Sequence, residues 1–243
     1  MRKIILAAVL VLSLAGSSFS EALTLKIDGE LGKLSAELQR PELEEGAKCP
    51  LVMILHGFTG NKNEKLLKTF ADALEAEGIA SIRFDFNGHG ESEGDFVNMT
   101  VLNEIEDAKK VYEHVKAFDW VKSVSVTGHS QGGVVTSMLA GELGAENVKA
   151  IVLFAPAAVL RDDAIRGNVM GTTYDAGNPP ESVSIFGRYN LGRDYMLTAQ
   201  TLPIYETAEK FTGPACVIHG TGDRIVPYTY GERYNKIYKD SEL

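Results

Sequence analysis

The sequence predicts an α/β fold in which a largely parallel β-sheet is covered by helices on both faces. Apolar runs rich in β-branched residues alternate along the chain with segments of helical period, as in successive βαβ units. The later apolar runs are also too continuous for a sheet that has one face in water. The chain has 243 residues, of which 44% are hydrophobic and 23% charged. This length and composition suit one single-core domain.

The first two predicted strands are joined by Asp28-Gly29, a dipeptide typical of tight hairpin turns, so they are expected to pair antiparallel. The other strands are short apolar runs bounded by turn residues. In chain order the predicted strands are Ala22–Ile27, Lys33–Leu38, Leu51–Leu55, Ile79–Phe84, Ser123–Thr127, Ala150–Phe154 and Ala215–His219.

Helical period is clear in two segments between these strands. The apolar stripe of Leu66–Leu74 is followed by Gly78, a residue suited to a helix C-cap. The stripe of Val101–Val115 follows Thr100, a suitable N-cap. The alternation breaks in residues 157–212, which are rich in Gly, Pro, Tyr and Arg and hold only short periodic pieces. An insertion of this length in a compact domain predicts a lid or binding element.

Residues 1–22 read as a signal peptide, and residues 23–243 as the folded domain. Arg2 and Lys3 precede an apolar run from Ile4 to Ala15 that only Ser13 interrupts, and small residues follow around Phe19. Such a run is too short to span a bilayer, so cleavage and export are predicted rather than anchoring. The expected location is secreted or periplasmic. The net charge of -9 argues against nucleic acid and anionic membranes as partners.

Export would permit disulfides, and the chain has two cysteines, Cys49 and Cys216. Each lies at the start of a different predicted strand. Because these strands are not expected to be neighbours, both thiols are predicted to be free.

Two pentapeptides match the G-x-S-x-G nucleophile pattern, at 128–132 and at 90–94. An elbow serine has to lie on a sharp turn that leads directly from a strand into a helix. Ser130 meets this requirement, whereas Ser92 is separated from the nearest strand and helix by loop residues. Ser130 is therefore the predicted nucleophile, and Ser92 is interpreted as a loop residue.

A serine nucleophile needs two backbone donors for the oxyanion that its attack creates. One is predicted to be the N–H of Gln131, which follows the nucleophile. The second is predicted to be the N–H of Phe58, in the glycine-rich loop after the third strand. His56 begins that loop and is interpreted as a structural histidine bonded to backbone.

Asp223 is the candidate for the acid that orients a catalytic histidine. It lies in a glycine-flanked turn at the end of a strand, where open α/β sheets carry their chemistry. The alternative is an ordinary turn aspartate that bonds its own backbone.

With these residues assigned, the chain resembles the α/β-hydrolase superfamily, and especially the bacterial feruloyl (cinnamoyl) esterases. The resemblance implies the strand order 1-2-4-3-5-6-7-8, with a pocket-forming insertion after strand 6. The resemblance places the polar contacts to substrate at Asp162 and Tyr195. The alternatives are that Asp162 is a solvated surface residue and that Tyr195 only packs in the core. The stretches that carry the resemblance are Ile54–Gly60, Arg83–Gly90, Gly128–Gly133 and His219–Asp223.

The resemblance also implies a catalytic histidine roughly twenty-five to thirty residues after the acid. The twenty residues after Asp223 contain no histidine, and Thr229–Lys239 reads as a helix before a last strand that is expected to be missing. Two explanations are open: a fragment of a longer active protein, or a natural truncation that binds ligand without turnover. The abrupt stop favours the first.

The predicted function is a serine carboxylic ester hydrolase that works through an acyl-enzyme, with hydroxycinnamoyl esters of plant polysaccharide as a possible substrate class. Thioesterase, acylglycerol lipase and serine peptidase are the alternatives on the same scaffold. No metal or organic cofactor is expected, since the sequence shows neither a metal-ligand cluster nor a dinucleotide-type glycine motif.

Overall fold

A computed structural model describes residues 22–243, and the predicted signal peptide lies outside these residues except for Ala22. The domain is built on an eight-stranded sheet in the order β1-β2-β4-β3-β5-β6-β11-β12. β2 runs antiparallel to β1 and to β4, whereas the remaining neighbours are parallel. The predicted α/β fold class and the strand order implied by the resemblance are confirmed. The sheet strands are β1 Leu23–Asp28, β2 Lys33–Gln39, β3 Cys49–Leu55, β4 Ala80–Phe84, β5 Val121–His129, β6 Val148–Phe154, β11 Ala215–Ile218 and β12 Ser241–Glu242.

Helices cover both faces because successive side chains of a strand point to opposite sides of the sheet. In β3, Ile54 packs with Leu67 and Ala71 of α1, while Met53 joins the larger core on the opposite face, which includes the apolar side of α2. The Thr100 side chain accepts a hydrogen bond from Asn103 N–H, which confirms the predicted N-cap of α2. The helices outside the insertion are α1 Lys65–Ala76, α2 Val101–Lys116, α3 Gln131–Leu143 and α7 Tyr228–Ile237, with a short 3₁₀ turn at Phe96–Asn98.

The insertion between β6 and β11 contains three short helices and two small β-hairpins. Its last helix packs on α3: a Cβ on Gly141 would lie 2.0 Å from the carbonyl oxygen of Thr207. The two hairpins meet where the Thr172 hydroxyl donates to the carbonyl of Ser184 (3.3 Å). The elements are α4 Val159–Ile165, β7 Asn168–Val169, β8 Thr172–Thr173, β9 Ser182–Ile185, β10 Tyr189–Gly192, α5 Arg193–Gln200 and α6 Ile204–Ala208.

The eighth position of the sheet differs from the sequence prediction. β12 pairs in parallel with Ala215 and Cys216, so two residues occupy the position of the strand that was expected to be missing. The Ser241 hydroxyl bonds to the side chain of Asn235 (2.7 Å), which ties this short strand to α7.

Cys49 in β3 and Cys216 in β11 are both free, as predicted, because β5 and β6 lie between their strands. None of the helices between residues 22 and 243 combines the length and the apolar content that crossing a bilayer requires.

A buried ion pair fixes the loop between β3 and α1. The Lys62 ammonium bonds to Asp85 (2.8 Å), and both side chains are only 1% exposed. Asp85 also accepts from the backbone N–H groups of Lys62 (2.6 Å) and Glu91 (2.9 Å). The guanidinium of Arg83 donates to the carbonyl of Lys62 (2.7 Å). The segment that carries Phe58 is thus tied to the end of β4.

Replacement of Lys62 by Met should lower the free energy of unfolding by about 3–5 kcal/mol, because it leaves the Asp85 carboxylate buried without its cation. Denaturant unfolding followed by circular dichroism measures this change. The matched control is Lys33→Met, which breaks an exposed pair with Asp28 and should leave the unfolding midpoint unchanged. Equal midpoints for the two variants would contradict this account of the ion pair.

Candidate active site

Ser130 lies at the turn that leads from β5 directly into α3. Its backbone has φ 56° and ψ -120°, a conformation that residues with a side chain rarely adopt. Its N–H donates to the carbonyl of Phe154 (2.9 Å), and its own carbonyl accepts from Gly133 (2.9 Å) and Ala157 (3.0 Å). These bonds hold the turn against the end of β6. The nucleophile elbow that the sequence predicts is therefore present in the backbone.

The two glycines of the motif are required by close backbone contacts. A Cβ on Gly128 would lie 2.1 Å from the carbonyl oxygen of Gly132, and one on Gly132 would lie 2.3 Å from that of His56. Neither contact leaves room for a side chain. The second contact also sets the loop after β3 directly beside the start of α3.

The predicted oxyanion donors lie on these two adjoining segments. A Cβ on Gly57 would lie 3.0 Å from the Cβ of Ser130, so the loop passes within van der Waals distance of the nucleophile. Within residues 22–243, the N–H groups of Phe58 and Gln131 donate no hydrogen bond to another protein group. Both residues line the cavity in front of Ser130. Two unpaired amides beside a serine are the arrangement that binds an oxyanion.

His56 and Ser92 have the structural roles expected of them. His56 is buried; its Nδ1–H donates to Gly57 (2.8 Å) and its Nε2 accepts from Phe86 N–H (3.1 Å). Burial and the neighbouring His89 lower the pKa of His56 to about 3, so it stays neutral. The Ser92 hydroxyl donates to the carbonyl of Asp85 (2.6 Å) and accepts from Ser35 N–H (2.8 Å). It holds a loop.

Asp223 has the contacts of a turn aspartate, and its second carboxylate oxygen accepts no hydrogen bond within residues 22–243. Its Oδ1 accepts from the backbone N–H groups of Ile225 (2.8 Å) and Val226 (3.0 Å), as a turn aspartate does. Its Oδ2 lies 3.7 Å from Nε2 of His219, which instead bonds to the carbonyl of Val226 (2.9 Å). Burial would raise the pKa of Asp223, but the two backbone donors outweigh it and hold that pKa below its usual value. The second carboxylate oxygen is free to accept from an imidazole.

None of the five histidines, all of which lie in the described part of the chain, hydrogen-bonds to the Ser130 hydroxyl. His129 comes closest in sequence, and its Nδ1 is buried without a partner among the described residues. The histidine positions are His56, His89, His114, His129 and His219.

A cavity of about 100 Å³ opens at Ser130 between the elbow, the acid turn and the insertion. Asp163 and Asn168 bring polar groups from the insertion into an otherwise largely apolar wall. Burial raises the pKa of Asp163, although Arg166 opposes the shift. The lining residues are Phe58, Ser130, Gln131, Ala157, Val159, Leu160, Asp163, Asn168, Val169, Met170, Tyr195, Ile225 and Val226.

The two substrate contacts inferred from the resemblance have different surroundings. Tyr195 lines the cavity, but its hydroxyl donates to the side-chain oxygen of Gln131 (2.8 Å). Asp162 lies outside the cavity lining and accepts from the hydroxyl of Tyr230 (2.5 Å). Asp163, the next residue along α4, faces the cavity instead.

Sequence reasoning missed a buried carboxyl group behind the elbow. The Gln131 side chain donates to Glu104 (2.9 Å), which is 1% exposed. Burial raises the pKa of Glu104 to about 8, although Gln131 opposes the shift, and Asp107 adds to it. The sequence could have predicted this burial. Glu104 lies three residues after Val101 and four before Ala108, so it shares the apolar face of α2 with them.

Between residues 22 and 243, no group of three or more His, Cys, Asp and Glu side chains is placed to hold a metal ion.

The fold and the elbow define an α/β-hydrolase, and sequence comparison places the chain in one family of that class. The family model described as serine aminopeptidase, S33 (Hydrolase_4) matches residues 46–173, which is more than half of the chain. The protein therefore belongs to this α/β-hydrolase family.

Est1E from Butyrivibrio proteoclasticus, solved with ferulic acid bound, is a similar structure. The two chains share 32% identity and a TM-score of 0.85, over 90% of this chain and 87% of Est1E. The predicted resemblance to the feruloyl esterases is confirmed by this neighbour.

Curated relatives match over shorter stretches. The quorum-quenching protein AidA of Acinetobacter baumannii is 31% identical over 46% of this chain and 36% of its own length. The lysophosphatidylserine lipase ABHD12 of Xenopus tropicalis is 24% identical over 76% of this chain and 46% of its own length. The chain thus spans between about a third and a half of these relatives.

Substitution of Gly132 by Ala should distort the elbow, because the new Cβ would lie 2.3 Å from the carbonyl oxygen of His56. Overpacking of this kind costs about 1–3 kcal/mol of stability. Urea unfolding measures the loss. Gly220→Ala is the control, since a Cβ there meets no atom within 4 Å. A Gly132→Ala variant as stable as this control would show that the close contact is not a constraint.

Proposed function

We propose that this protein is a serine hydrolase that cleaves carboxylic esters through an acyl-enzyme. The observation that carries the proposal is the placement of Ser130 on a strand-to-helix elbow, beside the unpaired amides of Phe58 and Gln131. A serine in this position can attack a carbonyl carbon while the two N–H groups bind the developing oxyanion.

The proposed reaction has two halves. Ser130 Oγ adds to the ester carbonyl and gives up its proton to a base. In the triad mechanism this base is an imidazole oriented by an acid in the position of Asp223, but none of the five histidines of the given sequence bonds to the Ser130 hydroxyl. The tetrahedral intermediate collapses, the base returns the proton to the departing alcohol, and the acyl group stays on Ser130. Water then adds to the acyl-enzyme by the same route and releases the carboxylic acid.

An aromatic acyl group with a polar substituent is the proposed substrate class. Est1E has been solved with ferulic acid bound, and it covers nearly the whole of this chain. The cavity here has an apolar wall suited to an aromatic ring. Asp163 and Asn168 provide polar partners for a ring hydroxyl. Esters of hydroxycinnamic acids, including those on plant polysaccharides, fit this description. We also propose that the protein acts outside the cytoplasm, on the basis of the N-terminal sequence pattern.

Aminopeptidase activity is a second candidate, which the family description and one feature of the cavity favour. The carboxylate of Asp163 could pair with the α-ammonium group of a peptide whose first carbonyl lies at Ser130. Esters and aminoacyl anilides are therefore both needed as test substrates.

Replacement of Ser130 by Ala should abolish turnover of p-nitrophenyl acetate, methyl ferulate and an aminoacyl p-nitroanilide, because the attacking oxygen is lost. Losses of several orders of magnitude are typical for a catalytic serine. Initial rates on the three substrates measure the effect, with Ser92→Ala as the control that should retain them.

Dominant turnover of the anilide would favour the peptidase over the esterase. Binding of ferulate without turnover of any substrate by the native protein would support the non-catalytic alternative.

Replacement of Asp163 by Ala should lower kcat/KM for methyl ferulate about tenfold, the value of one hydrogen bond to a charged group. Methyl cinnamate, which lacks the ring hydroxyl, should be affected much less. Steady-state kinetics on both esters measure the difference. The matched control is Asp162→Ala, which breaks a bond with Tyr230 outside the cavity and should not change the ratio of the two esters. An unchanged ratio in Asp163→Ala would remove this residue from acyl recognition.

A further inference from the structure

Tyr195 contacts both residues that supply the oxyanion donors. Its hydroxyl donates to the side-chain oxygen of Gln131 (2.8 Å), and its ring lies 5.8 Å, centroid to centroid, from that of Phe58. The side chain is 3% exposed and comes from α5 of the insertion. One buried tyrosine therefore links the insertion to the two segments that form the oxyanion site.

The amide nitrogen of the Gln131 side chain also has partners. Its Nε2 donates to Glu104 (2.9 Å) and contacts the sulfur of Met99 (3.8 Å). The carboxamide thus has one partner on α5 and one on α2, and it is 2% exposed. A side chain bonded at both ends cannot change rotamer without losing a buried hydrogen bond. Since Gln131 is the first residue of α3, these bonds also restrain the peptide unit that joins it to Ser130.

We propose that Tyr195 and Glu104 are positioning residues, which act through the Gln131 side chain, and for Tyr195 also through Phe58, to aim the oxyanion donors. This inference rests on the proposed function, because it gives the two amides their catalytic purpose. It assigns Tyr195 a role in aligning the donors, in addition to its place in the cavity wall.

Ionisation of Glu104 should produce a pH-dependent change at the Gln131 amide, which a purely packing role would not produce. Its carboxyl group is neutral at pH 7, since burial raises its pKa to about 8. The charged or titratable groups that act on it are Asp107 on the same helix and the Tyr195 hydroxyl from α5. Asp107 in turn accepts from Glu30 N–H (2.8 Å) and is influenced by the Glu30 and Glu106 carboxylates. As pH rises through about 8, Glu104 gains a negative charge one side chain away from the oxyanion donor.

The test follows the backbone amide signals of Phe58 and Gln131 by ¹H–¹⁵N NMR of the whole protein, together with ester kinetics. In the native protein the Gln131 signal should titrate near pH 8, and in Glu104→Gln it should not. Tyr195→Phe should move both amide signals. It should also lower kcat for p-nitrophenyl acetate about tenfold with little change in KM, a fraction of the loss caused by removal of an oxyanion donor.

Two variants serve as matched controls. Within residues 22–243 the Tyr174 hydroxyl bonds to the carbonyl of Ala164 alone, and Tyr174→Phe removes it. Glu106→Gln removes a half-exposed carboxylate of α2 that pairs with Lys109. Both should leave the two amide signals and kcat unchanged.

Amide signals that stay in place in both Tyr195→Phe and Glu104→Gln would overturn the proposal, as would a Tyr195→Phe variant that changes only KM. If the amides respond as expected and no ester is hydrolysed, the positioning network stands and the proposed hydrolase function fails. If Ser130-dependent hydrolysis is present and the amides do not respond, only the positioning role fails.

Discussion

At Ser130 the backbone adopts a left-handed conformation that costs about 1–3 kcal/mol for a residue with a side chain. It is retained because the elbow is fixed on every side. The end of β6 binds its N–H, the first turn of α3 and Ala157 bind its carbonyl, and the flanking glycines meet backbone oxygens at distances that exclude a Cβ. This conformation lets a strand pass into a helix without a loop, so that the hydroxyl and the first helical amide face the same space.

The second proposed oxyanion donor, Phe58 N–H, depends on a different set of contacts. Phe58 belongs to a loop that neutral His56 links to the segment after β4, since its ring bonds to Gly57 on one side and to Phe86 on the other. The Lys62–Asp85 pair fixes the far end of the same loop. One donor thus relies on a helix start and the other on a buried polar network, and the two come together because Gly57 and Gly132 allow close approach.

Local sequence patterns were sufficient for the first seven strands of the main sheet, for α1 and α2, and for the turns at Ser130 and Asp223, because each has its own signal in a short stretch of chain. The residues that line the cavity were harder to assign. Asp162 and Asp163 are adjacent in sequence, and only the orientation of α4 decides which of them faces Ser130. The pairing of Gln131 with Tyr195 and Glu104 joins residues 64 and 27 positions apart, a relation that periodicity cannot reveal.

The packing of α6 on α3 has a consequence for how substrate reaches Ser130. Thr207 is in backbone contact with Gly141, so the C-terminal part of the insertion is anchored to the nucleophile helix itself. A rigid-body rotation of the whole insertion away from the sheet would break this contact. A second backbone contact anchors the insertion in front of α5, since a Cβ on Gly192 would lie 2.0 Å from the carbonyl oxygen of Val97. Tyr195 follows Gly192 by three residues, so a movement that broke this contact would open the entrance and loosen the proposed oxyanion site together.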